Sequence, residues 1–355
     1  MRVYLKMIYE NKMKALFLKA VGETEVRDIE KPEVAAGQLL LKISKVGFCG
    51  GDLNGFKGLF ELQEYPNVLG HEVGATIEAI GPEVPAAFLV GQKVTVYPYL
   101  NCGTCISCRK GRRNACQDNK TMGVRRPGAM TRYITLPYSD VYVSEHLSMT
   151  ELALVEPLTV GFHAVSRGRV TAADRVAVIG CGIVGMGAIA SAVNRGAEVI
   201  ALDLDETKLA IARKIGVAHT VNTSQENLEE ALARLTQGDG PDVIIEAVGS
   251  HITYRAAVEA VAYTGRVVCI GYAKKAVEFN TGVFVRKEIE ILGSRNCTDE
   301  FPEVIAYLER GRFPVAEVIS RVVPLSESGA ALAGWAENAQ GIVKIIVDLD
   351  LESDE

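Results

Sequence analysis

"RVAVIGCGIVG", Arg175 to Gly185, is the stretch on which the reading of this 355-residue chain turns. Val176 to Ile179 is an unbroken apolar run, short enough for a strand buried on both faces. After it, Gly180, Gly182 and Gly185 stand in G-x-G-x-x-G spacing, and an apolar helix is expected over Ile183 to Asn194. The spacing alone is a weak signal. Its context is what a dinucleotide fingerprint needs: a strand before, a helix after, and an acid, Asp203, closing the next strand "EVIALD". Gly180 permits a tight turn, Gly182 lets the backbone approach a pyrophosphate, and Gly185 lets the helix sit close to the strand. The helix opens at Ile183 and Val184, where unpaired N–H groups and the positive dipole end suit phosphates. Asp203 is placed to accept the ribose hydroxyls and to repel a 2′-phosphate, which favours NAD over NADP. Lys208 and Arg213 lie further on and bear on this only weakly, and Cys181 reads as a small filler.

The alternation continues outward. "ETKLAIARKIG" reads as a helix ending at a glycine, "AHTVN" as a strand, Leu228 to Leu235 as a helix, and "DVIIEAVG" and "GRVVCIGY" as strands. Successive βα units with nearly all-apolar strands imply a parallel sheet covered on both faces, a doubly wound α/β domain. Upstream, Met13 to Tyr142 gives short alternating stretches such as "QLLLKISKV" and "QKVTVYP", punctuated by Gly and Pro, as in a small β-rich domain. Downstream, "EFPEVIAYLERG", "ISRVVPL", "SGAALAGWAEN" and "GIVKIIVDL" return to a mixed pattern expected to pack on the first domain. The expected division is residues 1–163, 164–297 and 298–355, with residues 1–12 a loose extension and the final "ESDE" frayed.

Hydrophobic residues at 48% and charged ones at 23% exclude the disordered class. A net charge of −6 argues against nucleic acid or an anionic membrane as partner. The longest apolar runs are broken by glycines, so no membrane span is expected, and no signal peptide is evident in "MRVYLKMIYENKMKALFLKA". The cytoplasm is the expected location. There, eight cysteines point to metal binding rather than to disulfides.

Two metal constellations follow. "CGTCISCRKGRRNAC" spaces Cys102, Cys105, Cys108 and Cys116 as C-x2-C-x2-C-x7-C, within a lobe over residues 99–120. Four thiolates so close in sequence can close a tetrahedral site with no open position, a structural clip. Iron–sulfur clusters use similar spacing, but the lobe's arginines (Arg109, Arg112, Arg113) favour exposed zinc. The second set is dispersed: Cys49 in "VGFCGGDLNGF", His71 and Glu72 in "LGHEVG", and Glu156 in "LVEPLTVGFHAV". A Cys, a His and one or two carboxylates make a zinc site with a position left for water or substrate. Taken singly, Cys49 also suits a buried hydrophobe and Glu72 a strand end. His146, His163, His219 and His251 read as core or surface residues.

At these residues the chain resembles the zinc-containing medium-chain dehydrogenases over its whole length from Met13. The resemblance rests on "GFCGGD", "YPNVLGHEVGATIEAIGP", the four-cysteine lobe, "GVRRPGAMTRYITLP", "VEPLTVGFHAV" and "VIGCGIVG" in that order. It is strongest to the polyol, sugar-acid and threonine dehydrogenase branch, and "GSRNCTDEFPEVI" resembles L-galactonate-type enzymes in particular. The resemblance implies a GroES-like catalytic domain, a Rossmann NAD domain, an active site between them, two zinc ions per chain and a homodimer or homotetramer. By position, Cys49, His71 and Glu72 correspond to zinc ligands, Glu156 to a carboxylate that ligates directly or through water, and Asp52 to the carboxylate that orients His71. Arg295 falls where related polyol enzymes keep an arginine near the substrate.

The chain departs from the family beside Asp52. Gly51 replaces the usual Ser or Thr, and Asn54 an often-present His, so the hydroxyl that starts the proton relay in ethanol-type relatives is missing. Glu156 or Glu72 is expected to take the proton instead. Arg125 and Arg126, if they face the substrate, suit a carboxylate or phosphate; otherwise "VRRPG" is a solvated loop. The expected reaction is hydride transfer between a sugar acid or polyol and NAD. L-Threonine-like amino-alcohol oxidation stands as the alternative, with a non-enzymatic zinc- or nucleotide-binding role behind it.

Overall fold

The computed structural model describes residues 12–351. The expected extension, apart from Lys12, and the "ESDE" end lie outside the described residues. The chain divides into two compact units, Met1–Glu156 with Ile319–Glu355, and Pro157–Val318.

In the second unit six strands form an all-parallel sheet in the order His219–Asn222, Glu198–Asp203, Arg175–Ile179, Val243–Glu246, Arg266–Cys269 and Glu290–Gly293. Val176, Ala177 and Val178 are fully buried in the third of these, which explains their lack of polar alternation. Helices Ile183–Asn194, Glu206–Ile215, Leu228–Leu235 and His251–Ala260 connect the strands. Local chemistry sets their ends. Asp205 caps the second by accepting the Thr207 N–H, and Gly216, at φ +107°, ends it in the left-handed conformation that glycine adopts without strain. Strand order reverses beside Arg175–Ile179, so the glycine-rich turn after it lies at the topological switch point of the sheet.

The first unit is β-rich. Its main sheet runs Val141–Val143, Lys93–Val96, Glu72–Ile80, Gln38–Gly47, Lys344–Asp348 and Ile319–Pro324, with Tyr133–Pro137 also paired to Gln38–Gly47. Register brings distant residues to one end of this sheet: Gly47 pairs with Glu72 on one side and Ile346 on the other. A two-stranded ribbon, Tyr99–Leu100 with Lys120–Thr121, flanks the four-cysteine segment.

The boundaries differ from those expected. The second unit runs from Pro157 to Val318 rather than from 164 to 297. Helix Met149–Arg167 continues across the first boundary, so no break in local structure marks it. Helix Phe301–Leu308 stays with the second unit, where Tyr307 meets the Phe162 ring edge-on at 5.6 Å between centroids. Only from Ile319 does the chain rejoin the first unit, as the expected return strands Ile319–Pro324 and Lys344–Asp348.

Candidate active site

Cys49 is the N-cap of helix Gly50–Phe56. Its Sγ accepts the Gly51 N–H at 3.3 Å, while Asp52 Oδ2 accepts the Cys49 N–H at 2.8 Å, a capping box closed by a thiol. His71 and Glu72 arrive from the start of strand Glu72–Ile80. The ligand atoms of Cys49, His71 and Glu72 all lie within 4.8 Å of one another. Glu156, on helix Met149–Arg167, stands outside that trio, and its Oε1 accepts the phenol of Tyr99.

Glu72 is fully buried and bound to a residue that sequence reasoning missed. Lys344 Nζ donates to both of its oxygens, at 2.7 and 2.6 Å, and to the Phe48 carbonyl at 2.8 Å. A Cβ at Gly47 would sit 1.9 Å from Glu72 Oε2, so glycine there is what admits the carboxylate. A carboxylate offers about four acceptor positions, so the lysine constrains Glu72 without excluding a cation. The signal for Lys344 was a lone charge inside the apolar run "GIVKIIVDL".

The electrostatics call for a cation. Burial pushes the Asp52 and Glu156 carboxyls up, and Glu72 adds to the rise in both. Burial alone would lower the His71 imidazole, yet Cys49, Asp52 and Glu156 together hold it well above its ordinary value. Two buried atoms, Asp52 Oδ1 and His71 Nδ1, have no hydrogen-bond partner. They are complementary, an acceptor and an imidazole nitrogen whose N–H is fixed when the other ring nitrogen ligates a metal. Mixed S, N and O donors with an acid behind the histidine fit zinc.

The four-cysteine segment fits a second ion. Cys105 Sγ lies 3.5 Å from Cys108 Sγ and 3.9 Å from Cys116 Sγ, and Cys116 Sγ lies 3.5 Å from Cys102 Sγ. Zn–S bonds of about 2.3 Å place tetrahedral sulfur atoms ~3.8 Å apart. Hydrogen bonds from Ser107 and the Cys108 backbone lower the Cys105 thiol to about 5, as a thiolate ligand requires. Burial and its sulfur neighbours push Cys108 up to about 12 in the absence of a cation.

At the coenzyme turn, Gly180 has φ +96° and Gly185 would place a Cβ 1.8 Å from the Gly180 carbonyl oxygen. A Cβ at Gly182 would meet nothing within 4 Å, leaving an open approach to the helix end at Ile183 and Val184. Asp203 is held in place. Its Oδ2 accepts the Cys181 N–H at 2.7 Å and its Oδ1 the Asp205 N–H at 2.9 Å.

Arg125 contacts Glu64 at 3.5 Å and Asp118 at 3.3 Å, and Arg126 donates to the Pro98 carbonyl at 3.2 Å. A substrate acid would therefore displace an exposed ion pair at Arg125, at a cost of about 1 kcal/mol or less. Arg295 follows Ser294 on the loop after strand Glu290–Gly293 and is half-buried. His163 is buried against Glu300, with Nδ1 2.7 Å from its Oε1.

Comparison with known proteins places the chain among zinc-type dehydrogenases. The alcohol dehydrogenase GroES-like domain matches residues 35–145, and the zinc-binding dehydrogenase domain residues 184–310. The chain is 30% identical over 349 residues to D-arabitol-phosphate dehydrogenase of Enterococcus avium, covering 96% of this chain and 98% of that one. It is 29% identical over 337 residues to L-galactonate-5-dehydrogenase of Escherichia coli K12, covering 94% and 98%. Among solved structures it superposes on an alcohol dehydrogenase of E. coli CFT073 in complex with NADH with a TM-score of 0.88. Identity there is 26%, covering 96% of this chain and 100% of the other.

Proposed function

The chain belongs to the zinc-binding alcohol dehydrogenase family, and from that premise we propose that it moves a hydride from a secondary alcohol of a sugar acid or polyol to NAD. It is a zinc- and nicotinamide-dependent oxidoreductase. The observation that carries the reading is the gathering of Cys49, His71 and Glu72 ligand atoms within 4.8 Å.

Zinc, when bound there, supplies the Lewis acidity that makes an alkoxide accessible near neutral pH. The remaining work falls to the chain. Asp52 Oδ1 would take the N–H of His71 Nδ1 when the other ring nitrogen ligates, and so fix the tautomer. Gly51 offers no hydroxyl, and Glu72 is committed to Lys344, so the proton leaves to the Glu156 carboxylate. Burial raises that carboxyl, which brings its basicity towards the working pH. Asp203 selects NAD by taking the ribose hydroxyls, and the backbone at Gly182, Ile183 and Val184 takes the pyrophosphate. Cys102, Cys105, Cys108 and Cys116 hold a structural zinc. Arg125, Arg126 and Arg295 supply charge for the substrate's acid group.

The test is NAD reduction by the zinc-loaded protein with sorbitol, galactitol, L-galactonate and L-threonine. Turnover of a polyol or aldonate supports the first reading. Turnover of L-threonine alone transfers the assignment to amino-alcohol oxidation, and no turnover of polyol or aldonate sinks the first reading. Glu156→Gln is expected to lower kcat about 10²–10⁴-fold. Wild-type turnover in that variant would remove Glu156 from the proton path.

The assembly we infer is a homodimer or homotetramer. Strand Glu290–Gly293 is a sheet edge carrying exposed Ile291, with Val285 exposed before it, and such an edge is ready to pair with a second copy. Light scattering in solution decides it, and a monomer would overturn it. We place the enzyme in the cytoplasm. No disulfide joins cysteines among the described residues, and no helix among them is long and apolar enough to cross a membrane.

A further inference from the structure

Glu156 does not set its own orientation. Its Oε1 accepts the phenol of Tyr99, and both side chains are almost fully buried, at 2% and 5% exposure. Tyr99 in turn is fixed from the four-cysteine segment by two routes. The first is the backbone. Tyr99 opens the ribbon Tyr99–Leu100/Lys120–Thr121, paired Tyr99 with Thr121 and Leu100 with Lys120, and the whole run from Cys102 to Cys116 lies between those two strands. The cysteines therefore close the loop whose stem carries Tyr99. The second is side-chain packing. Tyr97 meets the Tyr99 ring edge-on at 5.1 Å, and the guanidinium of Arg113, between Cys108 and Cys116, lies over the Tyr97 ring at 4.4 Å. Asn101 ties the same pieces together, since its amide donates to the Arg113 carbonyl at 3.0 Å and its carbonyl accepts the Tyr97 phenol at 3.4 Å.

We propose that Tyr99 is a positioning residue for Glu156, held by the Arg113–Tyr97 stack, so that the four-cysteine lobe sets the placement of the active-site carboxylate. This rests on the reading of Glu156 as proton acceptor. It assigns the lobe a role beyond clipping a loop. Gly51 sharpens the requirement: without a hydroxyl beside Asp52, the carboxylate of Glu156 must be in place for turnover. Misplacing a reacting group by about 1 Å costs up to about 100-fold in rate. The stack links lobe and carboxylate by contact, and a double-mutant cycle measures that link where proximity alone does not.

The test uses the full zinc-loaded chain. Tyr99→Phe removes the phenol oxygen and keeps the ring. It is expected to lower kcat about 10- to 100-fold on the best alcohol of the panel, with KM for NAD unchanged and two metal ions per chain retained. Arg113→Ala leaves the Tyr99 phenol and the Glu156 carboxylate themselves intact. It is expected to lower kcat several-fold in the native background and to have no further effect on Tyr99→Phe. A second readout needs no substrate: with Co(II) exchanged into the Cys49 site, Tyr99→Phe is expected to shift the visible ligand-field bands. Native kcat and native bands in Tyr99→Phe would overturn the proposal. Independent, multiplying effects of the two substitutions would overturn the part assigned to the lobe. If no panel alcohol turns over, the function reading fails by itself, and the cobalt bands alone decide whether Tyr99 positions Glu156.

Discussion

Lys344→Met puts the buried charge balance to a quantitative test. The wild-type ammonium makes three hydrogen bonds, two to Glu72 at 2.7 and 2.6 Å and one to the Phe48 carbonyl at 2.8 Å. Methionine replaces the stem without the charge, leaving Glu72 at 0% exposure with no compensating cation in chelated protein. Breaking one side of such a pair costs about 3–5 kcal/mol. Protonating Glu72 is an alternative at a similar cost, because neutralising an ordinary glutamate at pH 7 costs roughly 3–4 kcal/mol. Both routes point to a fall in Tm on the order of 10 °C. They also fix a sign. In the variant the folded state takes up a proton that the unfolded state has released, so the deficit shrinks by about 1.4 kcal/mol for each pH unit lowered from 7 towards 5. Zinc supplies the missing positive charge, so the deficit in metal-loaded protein is smaller than in protein treated with a chelator. Glu72→Gln added to Lys344→Met removes the stranded charge and recovers most of the loss. Urea and thermal unfolding of the three proteins, with and without chelator, measure all of this. A deficit below about 1 kcal/mol that does not change with pH would refute the reasoning.

Three further outcomes follow from the second unit. Gly185→Ala forces a Cβ to within 1.8 Å of the Gly180 carbonyl oxygen. Separating helix and strand is expected to cost about 1–3 kcal/mol and to weaken NAD binding, read by denaturation and by fluorescence titration. Asp203→Ala removes the acceptor and the charge that repels a 2′-phosphate, so the NAD to NADP ratio of kcat/KM is expected to fall at least tenfold. Glu300 is pushed up by burial, but the His163 bond, its charge and the Thr298 N–H outweigh this and leave its carboxyl below the ordinary 4.5. A depressed carboxyl stabilises the fold above the unfolded value and loses that contribution as pH falls through the folded one. Stability is therefore expected to drop on acidification below 4.5, with a shallower drop in His163→Gln.

What the sequence made legible follows from how local each signal is. Gly180, Gly182, Gly185 and Asp203 lie within one βαβ unit, so spacing and hydrophobic pattern sufficed to read them. The four cysteines sit within fifteen residues, so their spacing announces a metal site, although not which metal occupies it. Cys49 is separated from His71 and Glu72 by a helix, Gly50–Phe56, and a short strand, Asn67–Val68, so residue types suggested a shared zinc site and family resemblance was needed to assign the roles. Lys344 lies 272 residues from Glu72, and only the sheet register brings them together. Tyr99 escaped notice because a tyrosine beside a cysteine lobe carries no spacing rule. The expected boundary after residue 163 and the observed one at Glu156/Pro157 both fall inside a single helix, Met149–Arg167, which runs on through Pro157 and Gly161, so no change of secondary structure marks either.

The central claim, a catalytic zinc at Cys49, His71 and Glu72 separate from the four-cysteine ion, is tested most directly by counting metal. Elemental analysis of the wild type and of His71→Ala, alongside NAD reduction, gives the answer. The account requires two zinc ions per chain in the wild type, and one in His71→Ala with turnover abolished and the fold retained. One zinc per chain in the wild type, or two in a still-active His71→Ala, would contradict it.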